Sequence, residues 1–194
     1  MRSAPNNREI AMGISQRKQL ILQPLPCRSP EIGRWLSAIE DARRRTHIAL
    51  EGMVVDALNI VDWVSPVSGN SIGAILYHLA AVEASWLYEE VLQESFPLDI
   101  EGLLPYPIRD GQGQLTRVRG TALPDHLHRL QKIRAKLLAA YSEMTLDEFH
   151  RMRPLPDYDV TPEWVLHHLM QHEGEHRGQI TELRLNAEHA LHAK

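Results

Sequence analysis

The stretch from Thr161 to about Ala187 constrains the fold more than any other part of the chain. It opens Thr161-Pro162-Glu163: an N-cap hydroxyl, a proline at the first helical position and an acid at the positive end of the helix dipole. Beyond that start, Val165, Leu169, His172, His176 and Leu183 fall within a narrow arc when residues are stepped at about 100° each. The spacing predicts one long helix with a stripe to bury. Ser29-Pro30-Glu31 repeats the start signal and predicts a helix to about residue 52, with Trp35, Leu36, Ile39 and Leu50 inward and Arg43, Arg44 and Arg45 as a solvated face. "SIGAILYHLAAVEASWLYEEVL" predicts a second helix with Ile72, Ile75, Leu79, Val82 and Trp86 on one side. Pro124 to Met144 predicts a third, with Leu127, Leu130, Ile133, Leu137 and Leu138 as its core side, and Thr145 to Glu148 spells a capping box for a short helix that "RMRPLPDYD" breaks. Four long helices and no strand pattern imply an all-α four-helix bundle.

The boundaries follow from the breakers. Residues 1–28 read as an N-terminal arm, because Pro24 and Pro26 interrupt any long helix there; 29–188 form the bundle and 189–194 a tail. Between helices 2 and 3, residues 97–120 carry prolines, glycines and "RDGQGQLTRVRG", a long irregular connection with room for a short hairpin. Loops of this length in compact domains are often functional, so it is a candidate substrate lid or rim. A net charge of −4 and the lack of any clustered Lys/Arg excess argue against nucleic-acid binding. No apolar run approaches the roughly 18 residues of a membrane span, and the first residues lack the apolar segment of a signal peptide, so the cytoplasm is the expected compartment. With Cys27 as the sole cysteine, an internal disulfide and cysteine-rich zinc sites are excluded. Any metal must rest on histidines and carboxylates.

Histidine is the compositional outlier: 11 in the chain, four of them at 167, 168, 172 and 176. His172 and His176 sit at the centre of the buried stripe of the last helix. A lone histidine there would be an ordinary core residue satisfied by one hydrogen bond. Two imidazoles one turn apart leave several ring nitrogens to satisfy, and a shared cation does so, since the i, i+4 spacing brings both rings to one point. His78, the single histidine of the second helix and adjacent to its apolar stripe, is the candidate third ligand. Three neutral imidazoles leave coordination positions open to water or substrate. His168 lies at the margin of the stripe, His167 projects away from it, and His47, His126, His128 and His150 read as surface or packing residues. Gly174 and Gly178 share the face away from the histidines, and are consistent either with close approach of another helix, the arm or a second subunit, or with tolerated flexibility.

His172-Glu173-Gly174-Glu175-His176 also spells H-E-x-x-H, the zinc-peptidase signature in which the glutamate is the general base. The longer form of that signature needs Gly at 179 and His at 182, where this chain has Gln179 and Glu182, and the chain ends 18 residues after His176, too soon for the downstream-glutamate form. An atypical peptidase is the weakest of three readings. A metal-dependent enzyme, with Glu173, Glu83 or Tyr77 orienting a ligand or relaying a proton, is the first. The second is a non-catalytic, stress-associated metal-binding protein whose cation braces two helices.

"SIGAILYHLAAVEASWL" followed by "HHLMQHEGEHRGQI" resembles the DinB-like (DinB/YfiT) superfamily of metalloenzymes over roughly residues 30–188. The resemblance implies a four-helix bundle, commonly a homodimer, with a divalent metal such as zinc or nickel near one end. Carried over position by position, it implies His78, His172 and His176 as the ligands, the three residues already selected by periodicity. It also implies a small-molecule substrate, since family members of known chemistry act on low-molecular-weight thiols as transferases or isomerases. The resemblance does not give Glu173 a role as base, and neither the arm nor the 97–120 connection belongs to the shared motif.

Overall fold

The computed structural model describes residues 17, 19–53 and 57–193. Within them, the start signals do what their chemistry predicts. Ser29 accepts a hydrogen bond from the backbone of Glu31 to begin α1 (Pro30–Leu50), Ser71 accepts from Ala74 to begin α3 (Ile72–Ser85), and Thr161 accepts from Trp164 to begin α7 (Pro162–His192). Caps of this kind are each worth about 1 kcal/mol. A short α2 (Ala57–Asp62) precedes α3 in a stretch that the sequence reads as turn-rich connection. α4 (Leu98–Glu101) interrupts the long connection, and α5 (Leu123–Ser142) is the third long helix. The Thr145/Glu148 capping box closes in both directions on α6 (Leu146–Phe149).

α1 packs on α7, α3 on α5, α3 on α7 and α1 on α5, which closes a ring of four long helices. α3 is the innermost. Every residue from Ile72 to Ala84 is buried, so the helix is covered all round and not only along the one stripe that the sequence suggests. Three ionisable groups, Tyr77, His78 and Glu83, are therefore buried on this one helix, and each must find its partner inside the molecule. The helix does not end at Ser85 but continues as a π-helix, Trp86–Leu92, which Gln93 terminates at φ 56° while its side chain donates to the Pro154 carbonyl at 3.1 Å.

Pro154 belongs to a small hairpin that the sequence does not announce. β1 (Arg153–Pro154) pairs antiparallel with β2 (Asp159–Val160), Arg153 opposite Val160 and Pro154 opposite Asp159. Strands of two residues are too short to show any alternation. In the 97–120 connection, a bridge between Arg109 and Leu115 forms the expected hairpin turn. The described end of the N-terminal arm is tied to the bundle by Leu25 N–H donating to Gly33 and Arg28 N–H to Ser142; most of the arm lies outside the described residues. Among the described residues no helix is long and apolar enough to cross a membrane.

The basic run of α1 is split. Arg44 and Arg45 pair with Asp41 at the surface, as a solvated face would. Arg43 turns inward and is only 7% exposed. Its Nε meets Glu173 Oε1 at 2.7 Å and its Nη2 meets Glu83 Oε2 at 2.7 Å. Arg134 of α5 completes the quartet, with Nε 2.7 Å from Glu83 Oε1 and Nη2 3.1 Å from Glu173 Oε2. Two guanidiniums and two carboxylates, one from each long helix, thus neutralise one another at the centre of the bundle. Charges desolvated this deeply are tolerated only because almost every donor and acceptor is used: Arg134 Nη1 also donates to the Ile39 carbonyl and Glu40, and Arg43 Nη1 to the Leu130 carbonyl.

A three-imidazole candidate metal centre

α3 and α7 cross where His78 faces His172 and His176. Nε2 of His172 is 3.1 Å from Nε2 of His78 and 3.1 Å from Nε2 of His176. The ligand atoms of all three residues lie within 4.8 Å of one another. The rings meet edge to face, with centroids 4.5 to 5.0 Å apart. A tetrahedral zinc ion with metal–nitrogen bonds of about 2.0–2.1 Å separates its ligand nitrogens by roughly 3.3 Å, close to the two short spacings here. The structure thus brings together the three histidines that the sequence singles out, and their geometry fits one small divalent cation.

The protonation states fit as well. Burial pushes His78 down to about 4, with His176 and Arg109 pushing the same way. Burial likewise pushes His172 down to about 3, helped by His176, His78 and His168 and opposed by Glu173. His176 is lowered by burial too. All three are neutral at pH 7, the form in which imidazole is a ligand. His176 Nδ1 lies 3.0 Å from Gln179 Oε1, which can only accept, so Nδ1 carries the proton and the Nε2 lone pair is bared toward the cluster. Nδ1 of His78 is buried without a protein partner.

The connection between α4 and α5 is clamped beside this cluster. Tyr77, fully buried next to His78, donates its hydroxyl hydrogen to the Tyr106 carbonyl and accepts from the Tyr106 N–H at 2.9 Å. Arg129 lies 5.2 Å above the Tyr77 ring and donates through Nε to the Leu103 carbonyl at 2.8 Å. Tyr77 is therefore an anchor for the connection. Glu83 and Glu173, the other residues considered for proton transfer, spend their carboxylates on Arg43 and Arg134. Although Glu173 follows His172 directly in the chain, its side chain is 2% exposed and enters the bundle's centre, not the imidazole cluster. No fourth histidine, cysteine or carboxylate joins the three imidazoles among the described residues.

One neighbour was only partly visible in the sequence. His168 stacks on Trp164 with centroids 5.2 Å apart and planes at 5°, and on His172 at 5.8 Å and 22°. The i, i+4, i+8 spacing of 164, 168 and 172 carried that signal, but Trp86, 4.5 Å from His168, arrives from another helix. His167 is exposed and takes no part.

An all-α bundle with three convergent neutral imidazoles between two of its helices defines a candidate metalloprotein of the helical-bundle class. The family model of the DinB superfamily matches residues 38–180, most of the chain and all three histidines, and the chain belongs to that superfamily. A comparison with curated proteins found no match.

Proposed function

We propose that the protein is a metal-dependent enzyme that binds a divalent cation through His78, His172 and His176 and acts on a low-molecular-weight thiol or on water. The observation that carries this reading is the convergence of three Nε2 atoms at ligand-like spacing. Bound there, zinc or nickel would supply a Lewis acid that lowers the pKa of a coordinated thiol or water and presents it as a nucleophile. The chain's own contribution is positional. Gln179 holds His176 in the ligating tautomer, and Tyr77 and Arg129 fix the 97–120 connection as a rim beside the cluster. Glu173 and Glu83 are assigned to bracing the helices that carry the ligands, and not to proton transfer.

Two features favour this reading over the alternatives. Three protein ligands with no fourth among the described residues leave the coordination open, whereas a purely bracing ion would be closed by four. The H-E-x-x-H peptidase reading needs a free glutamate at 173, and that carboxylate is held by two guanidiniums. A homodimer in the cytoplasm acting on a small molecule belongs to the same proposal, and light scattering tests the dimer.

The test of the metal centre is elemental analysis of purified wild type and of His78→Ala, His172→Ala, His176→Ala and His167→Ala. The first three lose metal and the last retains about one ion per chain. Unchanged metal in His78→Ala would refute the three-histidine centre. Incubating the reconstituted protein with thiols and electrophilic acceptors, read by mass spectrometry, then separates catalyst from brace.

A further inference from the structure

Next to His168 the surface opens into a cavity of about 440 Å³ with three aromatic rings, Trp86, Tyr158 and Trp164, in its walls. Trp86, the first residue of the π-helix, lines it. Trp164, in the first turn of α7, lies with its ring centroid 5.5 Å from that of Trp86 and its plane inclined at 45°. Tyr158, from the hairpin turn, flanks Trp86 on another contact at 6.3 Å and 39°. Two rings inclined to that of Trp86 make a cup with it, and packing does not account for them: Trp164 remains 47% exposed and Tyr158 45%.

The only charged side chain that lines the cup among the described residues is acidic. Asp159 lines it and makes no ion pair among the described residues. The Tyr158 hydroxyl donates to Glu90 Oε1 at 2.9 Å, and Glu90 Oε2 is buried with no partner. Neither lysine nor arginine lines the cavity. Aromatic faces carry the negative end of the ring quadrupole, and adjacent carboxylates add to it, so the cup attracts an organic cation more than a neutral group of the same shape.

We propose that the cup of Trp86, Tyr158 and Trp164, with Asp159 at its edge, binds a substituted ammonium group of a small-molecule ligand. The cup shares a wall with the imidazole cluster, because His168 stacks on Trp164 on one side and on His172 on the other. A ligand with its ammonium in the cup directs its remaining atoms along that wall toward His172. That the ligand is the substrate rests on the function proposed above; that the cup binds a cation does not.

The experiment titrates the full-length protein, before and after chelation, with choline and with its neutral isostere 3,3-dimethyl-1-butanol, using calorimetry. Choline binds saturably in both preparations, and the isostere binds at least about tenfold more weakly. Trp164→Leu weakens choline binding by roughly fivefold to thirtyfold, the range of a desolvated cation–π contact, and Asp159→Asn, which removes an exposed charge, by up to about fivefold, each with thermal melts and metal content unchanged. Equal affinity for the isostere, indifference to Trp164→Leu, or no saturable choline binding overturns the proposal. Because metal content is measured on the same samples, loss of the metal reading is seen separately from loss of the cup.

Discussion

The guanidinium of Arg134 bridges Glu83 and Glu173, 2.7 Å from an oxygen of the first and 3.1 Å from an oxygen of the second. It thereby ties α5 to both helices that carry the candidate ligands. Burial alone would lower the Arg134 pKa, but the two carboxylates raise it above its ordinary value. Burial works to raise Glu173, and Arg43 and Arg134 more than offset it, so Glu173 titrates below the usual range. The quartet is stable as a set and costly to break.

Removing one member leaves the others charged and desolvated. Glu173→Gln is expected to destabilise the fold by about 3–5 kcal/mol, the cost of opening a buried ion pair. Urea denaturation followed by circular dichroism measures this. Metal content per folded molecule is expected to stay unchanged, because Glu173 is not part of the imidazole group. Metal lost in proportion to His172→Ala would instead make Glu173 part of the centre.

The long helices and the imidazole pair were legible because both are local signals. A cap, a proline and a stripe act within a few residues, and His172 and His176 are one turn apart. His78 was legible for another reason: an apolar helix with one histidine leaves few choices. The quartet was not, since Arg43, Glu83, Arg134 and Glu173 each come from a different helix, and nothing near Arg43 distinguishes it from Arg44 and Arg45. The hairpin at 153–160 and α2 escaped because both are too short to show a period.

Binding to the native state alone stabilises it by mass action, by about 2.7 kcal/mol when free ligand is a hundred times Kd. Adding zinc to chelated wild type is therefore expected to raise the melting temperature by several degrees, and to leave that of His172→Ala unmoved. Calorimetric melts with and without added zinc check this. An equal rise in both proteins would locate the stabilising ion elsewhere.

His126 gives the fold a pH dependence of its own. It is fully buried, and burial, aided by Arg129, pushes its pKa down to about 4 from 6.5. Arg129 Nη1 lies 3.1 Å from Nδ1, so that nitrogen accepts and the ring is neutral. Between those two values the unfolded chain binds the proton and the folded one does not. Stability is thus unaffected by this group above about pH 6.5 and falls by up to about 1.4 kcal/mol per pH unit as the pH drops toward 4. His126→Asn keeps an acceptor for Arg129 and removes the titration. Chelated His126→Asn is expected to lose less stability than chelated wild type between pH 7 and about 5 by urea denaturation, and parallel losses would count against a neutral His126.

Gly174 and Gly178 lie in the interior of α7, where glycine costs about 1 kcal/mol relative to alanine. The fold gives no steric reason for either. A methyl group at Gly178 would meet nothing within 4 Å, and one at Gly174 only the far end of Arg177, at 3.7 Å. Both face a shallow groove between α1 and α7, bordered by Ile48 and by Leu20 of the arm. Gly178→Ala is therefore expected to raise the stability of the isolated chain by roughly 1 kcal/mol, less whatever contact the groove makes with another molecule. Urea denaturation at several protein concentrations separates the two contributions. A gain independent of concentration means that the groove is open in solution, whereas a loss that grows as the protein becomes more concentrated means that a second subunit approaches the helix backbone there.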